Sequence, residues 1–262
     1  MRNKKLILCW QEPNTREWIA IGRLWRDENQ YKFCYTKGLE KAQESGFFNM
    51  FEKMDEKDQV YISDDLFPNF KNRLLQKSRP EYQDYLRWLG FSKPIGPLVE
   101  LSRTNGERAT DSLQLFEIPE KQNEKYIIYF FIHGIRHQTQ SAIHRIGTLQ
   151  RFDKLYLVKD IQNEADFHAF ALRTSNPPER LGYCPRIYST DISYLLEKNG
   201  PQNLITTIET VSPDAPLQLM VLCKLETDWP VDFTPFSQED FQPYSFQDIY
   251  ALTNSNINSI SK

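Results

Sequence analysis

Short runs of β-branched and aromatic residues, each closed by turn formers, punctuate this chain from its start to beyond residue 220, and they commit it to antiparallel strands. Leu6-Ile7-Leu8-Cys9-Trp10, Trp18-Ile19-Ala20-Ile21-Gly22-Arg23-Leu24 and Tyr31-Lys32-Phe33-Cys34-Tyr35 are separated by Pro13-Asn14-Thr15 and Asp27-Glu28-Asn29. That spacing predicts a three-stranded meander, with a further strand at Tyr61-Ile62-Ser63. Helices are expected over 39–51, with Gly46 as its cap, over 66–75, and over 80–89. Asp64 and Asp65 place carboxylates at the start of the second. In the third, Tyr82, Tyr85, Leu86 and Leu89 recur at helical spacing and define one apolar face.

Leu113 to Ile118 alternates again, and Pro94, Gly96, Pro97, Gly106 and Pro119 mark 92–123 as a boundary region. Beyond it, strands are expected over 125–132, 154–159, 168–173, 180–183, 204–211 and 217–225. The stretch 138–147 reads as a polar connection, and a helix across Asp191 to Glu197 starts from Ser189 or Thr190 and ends at Asn199-Gly200. The class is α+β. A chain of 262 residues can form two small domains, each with its own core. An antiparallel sheet with two helices over 1–118 is expected first, then a β-rich domain over 124–230. Residues 231–262, rich in Pro, Phe, Asp, Gln, Asn and Ser, read as a tail or a partner-docking segment.

A formal charge of −3 argues against coating of duplex nucleic acid by bulk phosphate neutralisation, while leaving room for a local basic site. Apolar runs such as Tyr126 to Ile132 are too short to span a bilayer, so neither membrane contact nor export is expected and a cytoplasmic location is. Cys9, Cys34, Cys184 and Cys223 form no CxxC pair and read as small buried apolar groups. His133, His137, His144 and His168 supply no recognisable base for Cys184. A zinc site from His133, His137 and Cys184 needs a helix to bring the histidines onto one face, where a strand running into a loop is expected. Asp160, Glu164 and Asp166 could hold a hard cation, but read first as a solvated loop. No glycine-rich phosphate loop occurs. Binding rather than catalysis is expected, with no metal and no cofactor.

Three segments in the second half carry a resemblance. Gly134-Ile135-Arg136-His137, then Asp160-Ile161-Gln162-Asn163-Glu164-Ala165-Asp166-Phe167-His168-Ala169, then Leu181-Gly182-Tyr183-Cys184-Pro185-Arg186 resemble, in order and spacing, the motifs of HIRAN domains, over Lys125 to Trp229. The resemblance implies a compact β-barrel related to the OB-fold, with two helices, whose groove binds the 3′ end of single-stranded DNA. By position, Arg136 would approach a phosphate and His137 would occupy an aromatic site. Asn163 and Asp166 would face the sugar end, and Tyr183 and Arg186 would line the far wall. Two positions depart from the DNA-binding members: His137 and Ala165 stand where they have tyrosines. One lost aromatic platform removes about 1–3 kcal/mol of stacking.

The first half is similar to the small N-terminal subdomain of HipA-type toxin kinases, through Ile21-Gly22-Arg23-Leu24, Tyr31 to Tyr35 and Tyr61 to Leu74. No kinase core accompanies it. The resemblance implies protein docking, with Phe67 and Phe70 as contact residues. The whole is expected to act as a bacterial-type adaptor in a toxin–antitoxin, defence or repair system, joining a single-stranded DNA end to an unidentified protein. A purely protein-binding regulatory subunit is the alternative. On that reading Asp166 merely holds its own loop, and Gly182 with Pro185 merely turns a strand into a helix.

Overall fold

The structure, a computed structural model, describes residues 4–47, 50–163 and 166–244. Its first sheet contains β1 (Lys5–Gln11), β2 (Trp18–Asp27), β3 (Gln30–Tyr35), β4 (Val60–Ser63) and β5 (Leu113–Ile118) in the order β4-β3-β2-β1-β5. All of its pairs are antiparallel, so the expected meander is present and the alternating run 113–118 joins it beside β1. Four helices accompany this sheet: α1 (Gly38–Glu44), the single turn α2 (Pro68–Lys71), α3 (Tyr82–Trp88) and α4 (Pro97–Thr104). The first three are shorter than expected. The last rises inside the boundary region, where Pro97 in its first turn is compatible with a helix start.

The second sheet contains β6 (Lys125–Phe131), β7 (Lys154–Lys159), β8 (Phe170–Arg173), β9 (Arg180–Tyr183), β10 (Ile205–Val211) and β11 (Val221–Asp228), in the order β6-β11-β10-β7-β8-β9. It curls until its edges meet: His133, just past β6, and Tyr183 in β9 exchange two backbone hydrogen bonds of 2.9 Å each. Two helices belong to this half. One is α6 (Ser189–Asn199), which buries Ile192 and Leu195 and ends at Gly200 in a positive-φ conformation. The other, α5 (Gln140–Ile146), replaces the expected polar connection. Thr139 caps it by accepting from the Ala142 amide at 3.2 Å, but only Ala142 and Ile146 are buried, too sparse a stripe to read as a helix face.

The two halves do not keep separate cores. Along β1, Leu6, Leu8 and Trp10 pack with Phe33, Phe70 and Leu101, while Ile7 and Cys9 face the other way, into a core with Tyr126, Ile128, Tyr188 and Phe236. Five consecutive residues of β1 are buried because both faces of that strand are covered. The predicted face of α3 packs on the second sheet through Phe131 and Leu222. A strand buried on both sides reads as a continuous apolar run, which is how Leu6 to Trp10 reads.

The segment expected to begin a tail at residue 231 is, as far as residue 244, part of the body. Phe233 and Phe236 are buried, Phe233 lying 5.7 Å from the Tyr126 ring and Phe236 stacking on Tyr188 at 5.8 Å. The chain then crosses to the first sheet, where the Phe241 carbonyl accepts from Arg23 Nε at 2.9 Å and Pro243 bridges Thr36. Pro and polar residues masked a few well-spaced phenylalanines. The remaining residues, 245–262, lie outside the described part.

Asp191, in the first turn of α6, is buried and accepts from the Phe236 amide at 3.3 Å. Burial pushes its pKa up to about 7. A carboxyl raised above its unfolded value holds its proton in the folded state, so its contribution is complete below the unfolded pKa near 3.8 and is lost as pH rises through about 7. Asp191→Asn keeps an acceptor for the Phe236 amide and cannot ionise. It is expected to gain on the order of 2–4 kcal/mol relative to wild type between pH 4.5 and pH 8. Denaturant titrations of both proteins at the two pH values measure this. A pH-independent difference would show that Asp191 does not titrate as described.

Candidate functional site

Closure of the second sheet draws three sequence-distant segments together. Gly182 lies at the seam with φ +141°, and a Cβ there would meet the His133 carbonyl oxygen at 2.4 Å, so only glycine lets the edges approach this closely. On the β6 side the chain turns at Gly134 (φ +76°) into a 3-10 turn, Ile135–His137. Ile135 is buried, while Arg136 and His137 point to solvent, with Arg136 Nε donating to His137 Nε2 at 2.9 Å. On the β9 side Tyr183 is half-buried, and Cys184 donates its amide to the Phe170 carbonyl at 2.9 Å. Pro185 then leads into the 3-10 turn Arg186–Tyr188 that precedes α6.

The loop between β7 and β8 supplies the third side. Its polar residues mostly bind their own backbone: Asp160 accepts from the Gln162 amide at 3.3 Å, Asn163 Oδ1 from Asp166 at 3.1 Å, and Asp166 Oδ1 from His168 at 3.0 Å. Two carboxylates also reach the wall. Tyr183 donates its hydroxyl to Asp160 Oδ2 at 2.8 Å, and Arg186 Nε lies 3.6 Å from Asp166 Oδ1. Burial and the bond to Asp160 raise the Tyr183 pKa, against the opposing pull of Arg180 and Asn163, so the phenol stays protonated and remains a donor.

Tyr183, Asn163, Asp166 and Arg186 thus form one connected group, and Arg136 with His137 lies on the adjoining turn without a direct bond to it. Arg186 is partly committed elsewhere, because Nη1 donates to the Arg16 carbonyl of the first half at 3.2 Å. Ala165, one of the two departures from the tyrosine pattern, and Glu164 lie outside the described residues. Two further residues complete the site: Asp160, which the sequence offers only as a cation ligand, and Arg180, which it does not single out. Asp160 holds Tyr183, and Arg180 stands with its guanidinium 5.6 Å from the Tyr183 ring centroid while donating to Gln138 Oε1 at 3.2 Å. Asp160 heads the quoted acidic segment, whereas Arg180 carried no signal beyond its place at the start of a strand.

Phe67 and Phe70 are not available as contact residues. They are 6% and 0% exposed and pack on each other, with Phe70 also against Phe33 and Phe51. An aromatic spacing that suits docking also suits a core, and the first sheet uses it for its core.

All four cysteines are buried and free, and burial drives the Cys184 thiol well above its ordinary value, away from thiolate chemistry. Burial likewise pulls the His133 imidazole down to about 4. Among the described residues, no group of three or more His, Cys, Asp or Glu side chains is placed to hold a metal ion, and no helix is long and apolar enough to cross a membrane.

Residues 125–229 match the family model of the HIRAN domain, the same span over which the motifs resemble it. No curated protein matches the chain. Among solved structures, a protein from Lactobacillus plantarum is similar at 14% identity, over 39% of this chain and 98% of that one, with a TM-score of 0.30. The HIRAN domain of human HLTF is similar at 11% identity, over 39% of this chain and 76% of that one, with a TM-score of 0.27.

Proposed function

We propose that the HIRAN domain of residues 125–229 binds the 3′ end of single-stranded DNA in the groove between the Ile135–His137 turn, the loop following β7 and Tyr183. The observation that carries this reading is the seam. The His133–Tyr183 pairing places the Arg136-His137 turn beside Tyr183, and the Tyr183–Asp160 bond draws in the loop, so the three motif segments form one surface. Two guanidinium groups, Arg180 and Arg186, stand there beside the carboxylates Asp160 and Asp166, and Arg136 adds a third on the adjoining turn. Tyr183 and His137 offer rings for base stacking, and Arg136, exposed on its turn, has N–H groups free for a phosphate.

The function is binding without chemistry. The first half, through its resemblance to a docking subdomain, joins this end to a protein partner, using a surface other than Phe67 and Phe70. Because its sheet shares a core with the barrel, it would hold such a partner rigidly relative to the groove.

Fluorescence anisotropy with labelled single strands ending in a 3′-hydroxyl or a 3′-phosphate tests the proposal. The hydroxyl end is expected to bind more tightly. Tyr183→Ala is expected to weaken it by roughly 5- to 150-fold, the equivalent of about 1–3 kcal/mol for one stacked base. Tyr183→Phe should retain most of the affinity. Equal binding of both ends would overturn recognition of the 3′ end, and binding of neither would leave the purely protein-binding alternative.

A further inference from the structure

The outer face of the barrel beside this groove bears a row of side chains that the fold itself does not use. On β7, Leu155 is buried and Leu157 partly so, and Lys154, Tyr156 and Val158 alternate with them toward solvent. Tyr156 is 49% exposed although it sits mid-strand. Its cross-strand partner on β8 is Arg173, whose partner on β9 is Arg180, brought opposite by a register shift after Leu172. Both arginines are exposed. Like charges placed directly opposite on paired strands repel. Asp160 lies 3.5 Å from Arg180, but among the described residues neither Arg173 nor Lys154 meets a carboxylate. Several exposed cations elsewhere, among them Lys41, Lys57, Arg87 and Lys125, are paired, whereas here two unpaired cations lie on one face with Arg180. The row therefore concentrates unneutralised positive charge next to an exposed aromatic ring, in a chain whose net charge is −3.

The row is also continuous with the groove. Arg180 ends it, standing over the Tyr183 ring, and the loop between β7 and β8 adds Phe167, 69% exposed and next to Asp166. A polyanion with stackable bases fits this combination, with cations for phosphates and rings for bases. We propose that the outer face of β7, β8 and β9 carries the body of the single-stranded DNA whose end occupies the groove. Tyr156 would serve as a stacking platform and Arg173 with Lys154 as phosphate contacts. The inference rests on the groove reading and extends it from a terminal nucleotide to a track.

The test uses the full chain, the double variant Tyr156→Ala/Arg173→Ala, and 3′-hydroxyl oligothymidine strands of about 3 and about 15 nucleotides, bracketing the ~4–16 nucleotides an OB-type fold covers. Wild type is expected to hold the long strand more tightly. The double variant is expected to weaken the long strand by about tenfold or more and to reduce the steepness of its salt dependence by roughly one phosphate contact, leaving the short strand unchanged. Both side chains are exposed, so the melting temperature should stay near wild type, and the short strand reports an intact groove. If wild type binds both lengths equally, or the variant holds the long strand as wild type does, the track is refuted, the groove stands, and the face is left to a protein or to solvent. An equal loss for both lengths also refutes the track, because the face then acts only through the shape of the groove. Binding of neither length by wild type refutes groove and track together.

Discussion

Gly182→Ala is expected to destabilise the protein by about 2–5 kcal/mol, combining backbone strain with overpacking against a neighbour that cannot yield. The residue has φ +141°, a conformation side-chain-bearing residues rarely adopt, and the added carbon would fall 2.4 Å from the His133 carbonyl oxygen and 2.6 Å from Ile132 Cγ2. That carbonyl accepts the Tyr183 amide in the seam of the barrel. It cannot withdraw without breaking the closure. For a chain of this size the melting temperature should fall by roughly 5–15 °C. Gly96→Ala is the control: Gly96 has φ −75°, and nothing lies within 4 Å of the position its Cβ would take. Its expected cost is within about 1 kcal/mol. A Gly182→Ala protein that melts like wild type would mean that the seam is not closed as described. Because the seam also assembles the groove, loss of DNA-end binding should accompany the loss of stability.

Phe236→Ala is expected to cost about 3–5 kcal/mol, the usual penalty for deleting a fully buried ring. Phe236 is 1% exposed, stacks on Tyr188 at 5.8 Å and on Phe241 at 4.9 Å, and donates its amide to the Asp191 carboxyl. It lies where barrel, first sheet and C-terminal segment meet, so its removal should loosen all three at once. Chemical denaturation of the full chain, followed by tryptophan fluorescence, measures the change. A loss below about 1 kcal/mol would show that the segment 230–244 does not stabilise the body and would restore its reading as a tail.

The strands were legible because alternation and turn residues are local signals, and every strand of both sheets overlaps a run that reads as β, although the last is displaced: Leu217–Leu219 is a 3-10 turn and β11 runs from Val221 to Asp228. The face of α3 was legible for the same reason, since Tyr82, Tyr85, Leu86 and Leu89 are all buried. The motif segments of the groove could be read as a set because their order and spacing are linear properties. Helix α5 escaped because two buried residues on an otherwise polar stretch leave almost no period to detect. Arg180, and the part Asp160 plays in holding Tyr183, escaped because both come from the neighbour they meet across the sheet, Tyr183.

By itself the sequence determined the class of elements, their order, and the segment in which a ligand groove is to be sought. Tertiary structure alone decided which aromatic rings lie inside. Phe70 and Phe236 are buried while Phe167 and Tyr156 stand in solvent, and nothing in their local patterns separates them. The physical reason is that period two gives a strand two faces without saying what covers either one. Coverage comes from pairings between distant segments, such as His133 with Tyr183, and from the shared core on the far side of β1.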